Sequence, residues 1–158
     1  MKKKYYIIGG LTLVVILIIT IRLLQAGTGA QDRNAKAEKD VFWAELATMD
    51  YTTGEAPKDL SALNGKVVRI PGFVVPLSDN IKRMREFLLV PNGMACIHAP
   101  PPPPNQMVLV ELGWDMDYEL AYGPVWVTGE LKIENYESPF GDVTFQMKGK
   151  NVEPYKIR

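Results

Sequence analysis

Lys2, Lys3 and Lys4 lead into an almost unbroken apolar run from Tyr5 to Ile21, and this opening constrains everything that follows it. As a helix rising 1.5 Å per residue, about 17 residues span roughly 26 Å. That falls slightly short of a bilayer core. Leu23 and Leu24 extend the apolar surface, and Arg22 can reach its guanidinium toward the headgroups. A lysine cluster ahead of a span stays in the cytoplasm. The segment 1–25 therefore reads as a transmembrane signal-anchor, a single pass of the inner membrane that leaves the rest of the chain in the periplasm. A cleaved signal peptide is the competing reading, because the small residues Ala26 to Ala30 suit a signal peptidase. Against it, the run is longer than a usual signal core and Arg22 sits where such a core should already have ended; with no Cys directly after the run, a lipid-modified N-terminus is excluded as well. Residues 26–34 form a linker of small and polar residues.

What remains of the 158 residues is enough for one core, over residues 35–158. Lys+Arg 18 balance Asp+Glu 18. No basic excess exists to draw in a phosphate backbone, so nucleic acid is excluded as a partner class. One Cys and one His in the whole chain rule out an internal disulfide framework and a self-contained Cys₄ or Cys₂His₂ site. A site built on these two must borrow ligands.

Between Ala35 and Asp50, Phe42, Leu46 and Met49 recur at helical spacing, with Trp43 and Ala47 beside them, which predicts an amphipathic helix packing through Phe42 and Leu46. Beyond the turn residues Gly54 and Pro57, the pattern changes to short β-branched runs punctuated by Gly and Pro. Strands are expected at Lys66–Leu77, Glu86–Val90, Met107–Leu112, Val125–Ile133, Val143–Met147 and Val152–Tyr155. Pro71-Gly72 demands a sharp bend inside the first strand, and Gly129 marks a bulge in the fourth. The fold class is mainly β. Five to six strongly bent strands close most simply into a small OB-like β-barrel with an N-terminal helix added, the alternative being an open sheet or sandwich.

Residues 96–106 read CIHAPPPPPNQ and bring together the chain's single Cys and single His, two positions apart. In extended backbone, such positions project from one face with their bases about 6.5 to 7 Å apart. Sγ of Cys96 and an imidazole nitrogen of His98 can then converge on one ion, and a thiolate with an imidazole suits zinc or copper better than magnesium or calcium. Further ligands would come from carboxylates, water, or the Cys96 and His98 of a second copy in a homodimer. Asp115, Asp117 and Glu119 are the nearest carboxylates that would share a face if extended; as plainly, they form a solvated surface. A buried thiol beside a hydrogen-bonded His is the structural alternative for Cys96 and His98. A catalytic Cys–His couple lacks a third group to orient the His, so the chain is read as no enzyme.

Pro100, Pro101, Pro102, Pro103 and Pro104 fix φ in succession and form a left-handed polyproline II rod of about 15 Å. The rod is a brace for Cys96 and His98 or a preorganised recognition surface. Asn105 and Gln106 supply amides that can tie its far end to neighbouring carbonyls.

EFLLVPNGMACIHAPPPPPNQMVLVEL, with LNGKVVRIPGFVVPL before it and VWVTGELKIEN after it, resembles the bacterial family catalogued as domain of unknown function 3299. The resemblance covers Trp43 to about Tyr155. Cys96, His98, the run Pro100 to Pro104, Asn105 and Gln106 all match its signature. It implies an exported or membrane-anchored protein of Gram-negative bacteria, some members being encoded beside ABC-transporter components in zinc-responsive gene clusters. Together these readings predict a membrane-anchored periplasmic accessory or binding protein, linked to ABC-transporter subunits or to zinc homeostasis, with zinc as the candidate cofactor at Cys96 and His98. A metal-free protein-interaction module is the alternative, and a Cys-dependent enzyme a more distant one.

Overall fold

In the computed structural model, which describes residues 36–93, 102–138 and 141–156, the β-branched runs become six strands of one mainly β sheet. They are β1 (Lys39–Asp40), β2 (Val67–Pro76), β3 (Glu86–Val90), β4 (Val108–Leu112), β5 (Val125–Ser138) and β6 (Gly141–Pro154). Two helical turns, α1 (Trp43–Leu46) and α2 (Lys58–Ser61), precede β2. The order is β1-β2-β3-β4-β6-β5, and β2 pairs additionally with β5. The β1–β2 and β4–β6 pairs are parallel and the others antiparallel. Among the described residues no helix is long and apolar enough to cross a membrane, and the Tyr5–Ile21 run lies outside them.

Alternation along each strand builds the core. Val68 and Ile70 of β2, Phe87 and Leu89 of β3, Val108 and Val110 of β4, Val125, Val127 and Leu131 of β5, and Phe145 and Met147 of β6 fill one face. Each side chain so buried contributes about 1.5–3 kcal/mol relative to exposure. The opposite face carries a second, smaller cluster of Leu88, Val90, Met107, Leu109 and Val143, with Phe73, Val75 and Leu77 packed on it. β3 is therefore apolar on both sides, which is why FLLV reads as a continuous run rather than an alternating one.

Pro71-Gly72, where a bend was expected, is where β2 changes partner. Residues from Val67 to Gly72 pair with β5, and those from Phe73 to Pro76 pair with β3. A Cβ on Gly72 would lie 2.8 Å from both Leu89 Cγ and the Val90 carbonyl oxygen, so only glycine admits this approach. The Pro71 carbonyl accepts the Trp43 indole N–H at 2.5 Å. The bulge expected at Gly129 is also present, as a register shift between Thr128 and Gly129 against β6.

Two expectations need correction. The helix predicted over Ala35–Asp50 shrinks to the single turn Trp43–Leu46. Backbone groups ahead of it are spent on the sheet: Glu38 N donates to Val67 O and Val41 N to Arg69 O, both at 2.8 Å, and β1 lies parallel to Val68–Arg69. Asp40 holds that pairing through two bonds from Arg69, at 2.9 and 2.7 Å. Leu46 and Met49 are buried as the stripe required, but Val41 replaces Phe42, which stays 47% exposed and meets Trp126 edge-on. Secondly, the segments expected at Val143–Met147 and Val152–Tyr155 merge into one strand, β6, which ends at Pro154, and β5 runs on to Ser138. Register shifts near Gly129 and between Ile133 and Tyr136 let this long hairpin bend without breaking.

Candidate functional site

Residues 91–107 connect the antiparallel neighbours β3 and β4, and the Cys-His-Pro motif sits within this connection. Cys96, His98, Pro100 and Pro101 lie outside the described residues. The structure describes the two ends of the connection, and both are held.

At the first end, β3 delivers the buried Val90 and then Pro91, Asn92 and Gly93. Gly93 lies flat on a ring: an added Cβ would come within 2.8 Å of Phe73 Cδ1. At the second end, Pro103 keeps the dihedrals of a polyproline rod, φ −61 and ψ 152. Pro104 leaves it. It opens a 3₁₀ turn, Pro104–Gln106, in which Gln106 N donates to Pro103 O at 2.8 Å. The extended course of Pro103 thus gives way to this turn, which leads into Met107 of the second apolar cluster.

Asn105 is the tie at this end. Its side chain is buried, and Nδ2 donates to Met49 O at 2.9 Å and Ala47 O at 3.2 Å, the two carbonyls just beyond α1. A helix end leaves carbonyls unsatisfied, and a primary amide with two hydrogens can serve two of them. Gln106 plays a lesser part, its Nε2 donating to Asn105 O at 3.3 Å. From the other side Thr144 Oγ1 donates to Pro104 O at 3.1 Å and ties the foot of the proline run to β6.

Beside that foot opens a cleft of about 560 Å³ lined by Tyr51, Pro104, Tyr136, Glu137, Asp142 and Thr144, among others. Glu137 and Asp142 face each other across the β5–β6 ladder. Like charges directly opposite are unfavourable in a sheet unless something shares them. These two carboxylates were missed in the sequence, where they stand far from the motif; only the pairing of β5 with β6 next to Pro104 reveals them. The carboxylates singled out by alternation go elsewhere. Asp117 accepts from Arg83 at 2.8 Å and Arg85 at 2.9 Å, and these bonds hold its carboxyl below the usual range. Asp115 and Glu119 flank it on the same loop, away from any strand. Among the described residues no three His, Cys, Asp or Glu side chains converge as a metal site.

A family model described as "Protein of unknown function (DUF3299)" matches residues 26–154. The crystal structure of a DUF3299 family protein from Pseudomonas aeruginosa PAO1 is similar to this chain at 28% identity and a TM-score of 0.60, covering 78% of this chain and 99% of that one. No curated protein matches.

Proposed function

This chain belongs to the DUF3299 family, and from that premise we propose that it is a membrane-anchored periplasmic binding protein whose connection between β3 and β4 presents Cys96 and His98 to a transition metal, zinc by preference. The observation that carries the reading is the clamped foot of the proline run, which fixes where the stiff approach to Cys96 and His98 begins. Asn105 and Thr144 hold Pro104 at the rim of a cleft that Glu137 and Asp142 line. A thiolate and an imidazole supply two of the four donors that zinc takes, and the others would come from carboxylates, water or a second copy of the chain. That donor set suits zinc, which would supply a fixed charge and a tetrahedral template there. The chain's own residues do the positioning: the prolines stiffen the approach, and the Asn105 amide fixes where they end.

The strand pairings support an OB-like barrel as the scaffold. β2 pairs with both β3 and β5, so the neighbours β2-β3-β4-β6-β5 return to their start, with β1 added outside. In this reading the metal-bearing connection joins adjacent strands at one rim of the barrel. The Lys2–Lys4 cluster and the Tyr5–Ile21 run support a single pass with this domain in the periplasm. The role is that of an accessory to an ABC-type transporter or to metal homeostasis, with no reaction of its own.

The test is zinc titration of the full-length protein by calorimetry, with bound metal counted by mass spectrometry. Cys96→Ser, and separately His98→Gln, should each weaken binding by more than about tenfold, which is 1.4 kcal/mol. A wild-type protein that binds zinc no tighter than about micromolar, or a His98→Gln variant that binds as wild type does, defeats the metal reading or this ligand pair respectively.

A further inference from the structure

Two loops outside the proline-bearing connection form a second feature of the fold. The β2–β3 loop, residues 77–85, and the β4–β5 loop, residues 113–124, are joined as one lobe. Met84 and Tyr118 exchange backbone bonds in both directions at 2.9 Å, and Leu120 N donates to Ile81 O at 2.9 Å. The ion pairs of Asp117 with Arg83 and Arg85 cross between the same two loops. The inward side chains are already used. Met84 is buried, Met116 packs against the main core, and the Tyr118 ring lies 5.9 Å from that of Phe87.

The outward side chains are the anomaly. Trp114 is 81% exposed, Tyr122 is fully exposed and Ile81 is 47% exposed. Half of the six large apolar side chains standing exposed among the described residues belong to this lobe. Phe42, by contrast, is engaged with Trp126. A lobe braced by ladder bonds and ion pairs yet tipped with Trp, Tyr and Ile is built to present them. Trp and Tyr are the side chains that settle at a membrane–water boundary, where the ring is dry and the polar atom wet.

We infer that this lobe docks on the surface of the lipid bilayer that anchors the chain, inserting Trp114 and Tyr122 at the headgroup level. The inference rests on the anchored reading above. The stretch 26–35, fully extended, spans at most about 35 Å, so the domain never leaves the neighbourhood of the lipid. A tether this short makes the second contact intramolecular, with an effective concentration of order millimolar, and a patch too weak to recruit a free protein is then occupied. Charge does not drive it. Lys82, Arg83 and Arg85 are offset by Asp79, Asp115, Asp117 and Glu119 on the same two loops. Docking must therefore proceed on zwitterionic lipid as well as anionic, and persist in salt.

The experiment uses the full chain reconstituted in phosphatidylcholine vesicles containing brominated phosphatidylcholine, read by vesicle flotation and by tryptophan emission. Trp43 and Trp126 are half-buried and engaged elsewhere, the first by its bond to Pro71 O and the second between Arg69 and Tyr155, so the component lost in W114F is the lobe's own. The expected result is a chain that floats and shows a quenched, blue-shifted emission component. W114F should abolish that component while flotation and circular dichroism stay unchanged. A chain that floats with no quenching overturns the docking and leaves the anchor standing, as does quenching that survives W114F or appears only with anionic lipid. A chain that does not float overturns both.

Discussion

Replacing Asn105 separates the contribution of its hydrogen bonds from that of its bulk. In Asn105→Ala, two bonds to Met49 O and Ala47 O disappear. Each is worth about 0.5–1.5 kcal/mol net, and a buried acceptor left unpaired costs about 1–3 kcal/mol. Ala47 is exposed, so water can take over its carbonyl, whereas the Met49 bond is buried and its carbonyl is left unpaired. The sum is a loss of about 2–4 kcal/mol. With a urea m-value of about 2 kcal/mol/M, the unfolding midpoint should fall by roughly 1–2 M with m unchanged. Asn105→Asp keeps the shape and reverses the polarity. A carboxylate aimed at two carbonyl oxygens has nothing to accept, so its folded pKa must rise above the unfolded one. At neutral pH this variant should be at least as unstable as the alanine variant. The deficit should then shrink as pH falls through the raised folded pKa, because the neutral acid regains one donor. An alanine variant within about 0.5 kcal/mol of wild type, or an aspartate variant whose deficit ignores pH, refutes the account of Asn105 as a hydrogen-bonded tie.

Two further outcomes concern Gly129 and Asp40. Gly129→Ala places a Cβ 2.5 Å from Lys148 O and 2.6 Å from Met147 Cγ; since a ladder oxygen cannot step aside, it should cost about 1–3 kcal/mol by chemical denaturation, and a neutral result refutes the close approach of β5 to β6. Asp40 is held below its ordinary 3.8 by hydrogen bonds from Arg69, opposed by partial burial and aided by the Arg69 charge. A lowered folded pKa gives stability that is present above the unfolded value and lost as pH falls through the folded one. Arg69→Met should therefore flatten the acid limb of a thermal-stability profile below about pH 4, and an unchanged limb removes Asp40 from that role.

Much of the strand framework was legible because it depends on local chemistry. β3 matches its apolar run from Glu86 to Val90, and β2 and β4 fall within a residue of the expected bounds. Pro71-Gly72 and Gly129 were readable as irregularities because a missing N–H or a missing Cβ restricts the backbone wherever it occurs. The lost helix was not legible. Phe42, Leu46 and Met49 keep helical spacing, yet Lys39–Asp40 joins β2 instead, since Arg69 and the edge of a distant strand offer partners that no local window contains. The β5–β6 hairpin was cut short for a related reason: Glu134 to Glu137 carry no apolar alternation, and only pairing with β6 keeps them extended.

The same division runs through the candidate site. By itself the sequence determined that a rigid proline run follows a lone Cys and His, that a carboxamide stands at its end, and that an apolar run precedes the domain, because φ restriction, residue chemistry and hydropathy belong to residues one at a time. Only the tertiary structure decided what that carboxamide holds, which carboxylates stand beside the foot of the run, and that Trp114 and Tyr122 stand outward on a braced lobe. Those facts come from strand pairing between residues tens of positions apart, and no residue carries its partner's address.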